Sequence, residues 1–274
     1  MEKKRLDILL VEKGYFKTRE KARRSIMAGV VFVDNIREDK PGTKFRIDAD
    51  ISIKENTNPY VSRGGLKLEK ALEFFGIDLK GKTAIDVGAS TGGFTDCMLK
   101  KGAEKVIAID VGYGQLDWEL RNDERVICME RTNIRYVKPE DIVFIADFAT
   151  IDVSFISLKK VMLVVAGLIK KTGEMVCLVK PQFEAGREKV GKGGVVRSPE
   201  THMEVLQDII LFTIDNGLKT KGLTYSPIKG PEGNIEYLLY LSKQSNSNQN
   251  SLIVKENAED EIKKVVLESH SRLN

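Results

Sequence analysis

From Lys82 onward, short apolar runs alternate with amphipathic stretches. KTAIDVG, KVIAIDVG, RVICME, IVFIADFATIDVSF, EMVCLVK and IEYLLYLSK have the length and β-branched content of strands. GFTDCMLKKG, QLDWELRN and a long stretch from about Pro199 to Asn216 read as helices between them, and GGLKLEKALEFFG, just before, carries Leu68, Leu72 and Phe75 on one helical face. This order predicts an α/β unit with a parallel-dominated sheet covered on both faces. A ligand then belongs at the carboxyl ends of the strands.

The first fifty residues follow another rhythm. RLDILLVEKG places Leu6, Leu9 and Leu10 at helical spacing and stops at Gly14, and Thr18 can cap a second helix, REKARRSIMAG. VVFVDN and TKFRIDADISI then read as short strands, a small α+β unit. Polar KENTNP at 54–59 predicts a linker, giving expected domains of 1–58 and 59–243. KQSNSNQNS at 243–251 is a second polar linker, and 244–274 reads as a tail. Its AEDEIKKVVLESHSRL is equally compatible with a docked amphipathic helix and with a frayed surface end.

Charge adds little: a formal net charge of +4 over 274 residues is compatible with a nucleic-acid partner without requiring one. Cys97, Cys128 and Cys177 have no metal or redox spacing, as expected in a reducing cytoplasm. The longest apolar run, VMLVVAGLI, is about half of the ~20 residues a membrane helix needs. The start MEKKRLDILLVEKG has no secretory pattern, so a cytoplasmic chain without a membrane partner is expected. His202 and His270 sit in polar surroundings without a partner motif, which leaves acid–base chemistry to other residues and predicts no metal site.

Chemistry concentrates in two places. AIDVGASTGGFTDCML turns from strand to helix through Gly88, Gly92 and Gly93, and the next strand ends in Asp110, 24 residues beyond Asp86. That layout is a nucleoside-binding βαβ unit, with Asp110 placed to accept from ribose hydroxyls. The turn lacks the pyrophosphate spacing, and Asp86 before it suits a cationic ligand; S-adenosylmethionine, with a ribose and a sulfonium but no phosphate, fits. Second, Lys180 ends the apolar strand EMVCLVK, Asp152 interrupts TIDVSFISL, Glu236 precedes YLLYL and Lys67 lies on the helix before the turn. Each alone is most simply a sheet-edge ion pair. Together they form a site of zero net charge in which one lysine can take a proton from a sugar hydroxyl.

Arg19, Lys21, Arg23 and Arg24 crowd one short helix near Arg5, a pattern suited to phosphate contacts, and Arg63 in SRGG can hold a phosphate beside Lys67. A solvated basic surface is the plainer alternative.

YVSRGGLKLEKAL, DVGASTGGFTD, DVGYGQL, ERTN, DVSFISL, LVKPQFE, GKGGVV and GNIEYLLYL, in this order, closely resemble the TlyA (hemolysin A) family of ribosomal RNA 2′-O-methyltransferases. The resemblance implies an FtsJ-like, Rossmann-like S-adenosylmethionine-dependent methyltransferase sheet behind a small N-terminal S-four type RNA-binding domain. It implies a catalytic tetrad of Lys67, Asp152, Lys180 and Glu236, with Lys180 as the base on the ribose. It implies a cofactor motif of Asp86, Gly88, Ser90, Gly92, Gly93 and Asp110, with Asn133 a further candidate for the adenine. The implied partner is cytidine of 16S or 23S ribosomal RNA, or both, within assembled subunits. The rivals are an RNA-binding assembly factor with little activity, a membrane-lysing protein and a small-molecule methyltransferase. The intact tetrad and turn weigh against the first, the lack of a span against the second, and the N-terminal module against the third.

Overall fold

The computed structural model describes residues 3–53, 58–243, 253 and 257–273, and divides into two compact units, Met1–Gly64 and Gly65–Asn274. Most of the expected linkers, 54–57 and 244–251, lies outside the described residues.

The N-terminal unit runs β1 (Lys3–Arg5), α1 (Leu6–Glu12), α2 (Arg19–Met27), β2 (Val31–Val33), β3 (Ile36–Glu38), β4 (Lys44–Arg46) and β5 (Ile51–Ile53). Leu6, Leu9 and Leu10 of α1 bury against Ala22 and Ile26 of α2 and against Val31 and Ile51, so the helical spacing of the sequence becomes this unit's core. Thr18 caps α2 by accepting from the Lys21 amide, as its position predicts. Asp34 and Asn35 both take positive φ between β2 and β3, the tight hairpin that short polar residues tolerate.

The larger unit begins with α3 (Gly64–Phe75) and continues β6 (Thr83–Val87), α4 (Gly93–Lys100), β7 (Lys105–Ile109), α5 (Trp118–Arg121), β8 (Val126–Met129), β9 (Ala146–Ile151), α6 (Lys159–Gly167), β10 (Ile169–Val179), α7 (Pro181–Glu184), α8 (Pro199–Asp215), β11 (Lys219–Tyr225), β12 (Tyr237–Ser242) and α9 (Ala258–Leu273). Its sheet has seven strands in the order β11-β12-β10-β9-β6-β7-β8. The five from β10 to β8 are parallel, and β12 and β11 join antiparallel at one edge. The strand β11 has no counterpart in the apolar runs of the sequence. KTKGLTY alternates, and an edge strand needs only one buried face. Within IVFIADFATIDVSF only 146–151 is strand.

The tail ends as a docked helix. Ala258, Ile262, Val265 and Val266 of α9 belong to the main core, packed on α8 and β11. Among the described residues no helix is long and apolar enough to cross a membrane.

Candidate active site

The strands β6 and β9 deliver the first two pieces of the site. Leaving β6, Gly88 takes φ +82, and a Cβ there would stand 2.2 Å from the Asp152 carbonyl oxygen. The Asp152 amide in turn donates to the Val87 carbonyl at 2.8 Å. Only glycine lets the turn pass this close, and the approach draws Asp152 to the turn. Gly92 starts α4 at φ +94 against Leu116 and Leu120, and Gly93 follows it buried.

Asp110, at the end of β7, accepts from the Ser90 amide at 2.8 Å and from the Gly112 amide at 2.7 Å, one on each carboxylate oxygen. Each oxygen keeps a lone pair for a ligand. Gly88, Ser90, Asp110, Asn133, Asp152 and Ser154 line a cleft of about 790 Å³ whose apolar walls include Ile109, Val111 and Ile134. Asn133 is steered by its own neighbourhood, its side-chain oxygen capping the following turn by accepting from the Arg135 amide at 3.2 Å. The donor set fits an adenosine-bearing methyl donor: a carboxylate for a ribose diol, apolar walls for a base, and a turn, GASTGG, without a cation for phosphate.

Asp86, Gly92 and Gly93 do not line the cleft. Asp86 is fully buried below the turn, accepting from Thr95 Oγ1 at 2.7 Å and Thr150 Oγ1 at 2.9 Å. Burial pushes its carboxyl up to about 6, against the pull of the two hydroxyls.

The four charged residues meet at the carboxyl edge of β9 and β10. Val179 pairs with Tyr237 across the antiparallel β10–β12 ladder, so Lys180 and Glu236 are the next neighbours beyond it, and Ile151, just before Asp152, pairs with Cys177. Pro181 opens α7 and stops the strand at Lys180. Lys180 Nζ stands 2.5 Å from Asp152 Oδ1 and donates to Ser154 Oγ at 3.0 Å. Lys67 Nζ stands 2.5 Å from Glu236 Oε2, its side chain 9% exposed and that of Glu236 1%. Gly230 makes room for Glu236: a Cβ there would meet Oε1 at 2.6 Å.

Two features of this edge escaped the sequence reading. Ser154 adds a hydroxyl to Lys180, a partner signalled only by its place two residues after Asp152. Phe155, 90% exposed at φ +63, packs its ring against Phe183 at 4.9 Å between centroids. The histidine reading needs correction. His202 is fully buried, with Nδ1 2.7 Å from Tyr237 Oη and Nε2 3.0 Å from the Val196 carbonyl, and burial holds its imidazole down at about 4. Glu200 and Glu204, two positions to either side, face outward, while His202 and Thr201 fall on the inner face of α8. Among the described residues no cluster suits a metal.

In the N-terminal unit the basic residues divide. Asp7, fully buried, accepts from Arg5 Nε at 3.0 Å and Nη2 at 3.1 Å and from Arg19 Nε at 2.8 Å. Burial would raise its carboxyl, but the two guanidinium groups outweigh it and hold it below the usual range. Lys21 and Arg23 are exposed, Arg24 lies 3.6 Å from Glu20, and Arg63 donates to Asp39 at 2.9 Å.

A parallel sheet with a glycine turn, a ribose-ready aspartate and lysine–carboxylate pairs at its carboxyl edge defines a Rossmann-like nucleoside-cofactor enzyme of the methyltransferase class. The family model for FtsJ-like methyltransferases matches residues 60–243, and that for the S4 domain matches residues 4–51. A 16S/23S rRNA (cytidine-2′-O)-methyltransferase TlyA from Mycobacterium tuberculosis is 42% identical over 242 residues, covering 88% of this chain and 90% of that protein. Hemolysin A of Brachyspira hyodysenteriae is 43% identical over 239 residues, covering 86% and 98%. A solved hemolysin structure from Streptococcus thermophilus is 47% identical, with a TM-score of 0.76 over 99% of this chain and 97% of that one. The chain belongs to the TlyA (hemolysin A) family of FtsJ-like methyltransferases, with an S4 domain at its N-terminus.

Proposed function

We propose that this protein methylates the ribose 2′-hydroxyl of a cytidine in ribosomal RNA, 16S, 23S or both, within ribosomal subunits in the cytoplasm, with S-adenosylmethionine as donor. Lys180 carries this reading: an amine between Asp152 and Ser154, whose aspartate and serine line the cleft that also holds Asp110. The bound donor supplies a methyl carbon on a sulfonium, already a good leaving group. Asp110 holds the ribose of the donor, Gly88 and Ser90 shape the turn against it, and Asn133 contacts the adenine. Asp86, Gly92 and Gly93 support the turn from below.

Lys180 takes the proton from the 2′-hydroxyl as its oxygen attacks. The ammonium that forms lies against Asp152, so charge develops where a carboxylate already stands. Ser154 aims the amine. The Lys67–Glu236 pair holds the adjoining strand and helix in place and adds no net charge. Arg5, Arg19, Lys21, Arg23, Arg24 and Arg63 supply phosphate contacts that position the RNA without reading it.

The test is transfer of labelled methyl to unmodified small and large subunits, followed by mapping of the modified nucleotide. Label on a cytidine 2′-oxygen supports the reading and names the subunit. Absence of label with cofactor bound would favour an assembly factor.

A further inference from the structure

The end of the chain grips the back of the site. Three consecutive residues of α9 reach three different elements: Glu268 Oε1 accepts from Tyr225 Oη at 3.1 Å, Ser269 Oγ lies 3.2 Å from Tyr237 Oη, and His270 Nε2 lies 3.2 Å from His202 Nδ1 on α8. Tyr225 and Tyr237 are register partners in the β11–β12 ladder. Both rings are buried, and Tyr237 Oη also lies 2.7 Å from His202 Nδ1.

Tyr237 adjoins Glu236 of the sealed ion pair directly, and Tyr225 reaches the helix that carries Lys67 through Lys70. Tyr237 directly follows Glu236, and successive residues of an extended chain point to opposite sides, so holding one phenol fixes the direction of the neighbouring carboxylate. The next ladder bond, from the Ser226 amide to the Glu236 carbonyl at 2.8 Å, starts one residue after Tyr225. On α3, Lys70 places its amine 4.0 Å from the centre of the Tyr225 ring, and Lys67 lies one turn before it. Nothing else in the reading of the site uses α9, His202 or these hydroxyls.

We propose that α9 is a brace for the active site, with Tyr225 and Tyr237 as positioning residues that set Glu236 and Lys67 from behind the sheet. The inference rests on the methyl-transfer reading for its catalytic arm only. The tyrosines touch neither donor nor ribose, so their loss acts on the rate of the chemical step and leaves binding alone.

The experiment compares the full-length protein with Tyr225→Phe/Tyr237→Phe, which keeps the rings and removes the hydroxyls, and with Glu268→Gln/Ser269→Ala on the helix side. Two quantities are read: methyl-transfer kinetics on subunits, and amide hydrogen exchange of the segment 234–240. The expected result for both pairs is a kcat lowered at least about fivefold, the worth of one net hydrogen bond of the two removed, with KM for RNA and donor affinity unchanged and exchange faster at 234–240 but not in β6 or β9. Unchanged exchange there, or an unchanged kcat in a protein whose exchange has risen, overturns the brace. So does a parallel fall of kcat and binding with the folded fraction, which marks α9 as structural only. If the unmodified protein transfers no methyl, the exchange arm still decides the brace while the functional reading falls by itself.

Discussion

The two lysine–carboxylate pairs at the sheet edge have the same ingredients and opposite surroundings. Lys67 and Glu236 are sealed, with Gly230 cut back to admit the carboxylate. Asp152 lines the cleft at 22% exposed, and Lys180, 12% exposed, stands against it with a serine hydroxyl beside the amine. A buried pair must recover the desolvation of both ions through close contact, and once formed it resists any change of charge. A pair open to a cleft can pass a proton to or from whatever enters. On the proposed reading the sealed pair is a fixture, and the open pair is where the proton moves.

The sharpest way to break this contrast is Lys180→Ala. Loss of the base lowers kcat by about 10²- to 10⁴-fold while donor affinity, measured by calorimetry, stays near normal. Lys180→Arg does not restore it, since a guanidinium keeps its proton. Near-normal turnover in Lys180→Ala would move the base elsewhere.

Stability should divide the pairs the other way. Glu236→Gln removes the carboxylate that faces the buried Lys67 ammonium, at a cost of about 3–5 kcal/mol in urea unfolding. Asp152→Asn, at the partly exposed pair, costs about 1 kcal/mol or less. Replacing both sealed ions, as in Lys67→Met/Glu236→Leu, returns most of the stability. Equal costs at Glu236 and Asp152 would erase the distinction.

How far the sequence could be read follows the same division. Lys180 was legible because an apolar strand that ends in Lys-Pro is conspicuous, and Gly88 because a turn between strand and helix demands glycine. The sealing of Lys67 and Glu236 was not, since it depends on Gly230 and on two elements 169 positions apart. The burial of His202 was hidden for a related reason: exposed Glu200 and Glu204 stand two positions to either side of it in α8, and the tertiary partners Tyr237 and His270 show which way it faces. An edge strand such as β11 carries too weak an apolar signal, and the docking of α9 depends on partners distant in the sequence.

Asp86 offers a third arrangement, a buried carboxylate held by two hydroxyls and no cation. Its pKa is raised from 3.8 to about 6, so the folded protein favours the protonated form. The stability this gives is present in full below pH 3.8 and is lost as pH rises through 6. Asp86→Asn removes the charge that must otherwise be buried. The variant should be more stable than the parent by about 3 kcal/mol at pH 8, and the advantage should shrink as pH falls from 6 to below 4 in thermal melts. An advantage independent of pH would show that burial does not shift this carboxyl.

The smallest effects belong to the N-terminal unit, which repeats the contrast on its own scale. Arg5 and Arg19 are tied to buried Asp7, whereas Lys21 and Arg23 stand free in solvent. Removing a free cation subtracts one phosphate contact and nothing else. Lys21→Ala and Arg23→Ala should each reduce the slope of log affinity against log salt by about 1, measured by RNA anisotropy across potassium chloride concentrations, with melting temperature unchanged. Arg19→Ala should reduce the slope similarly and lower the melting temperature as well, because Asp7 then keeps only Arg5. If Lys21→Ala and Arg23→Ala leave the slope unmoved, the free face of α2 is a solvated surface and the RNA lies elsewhere.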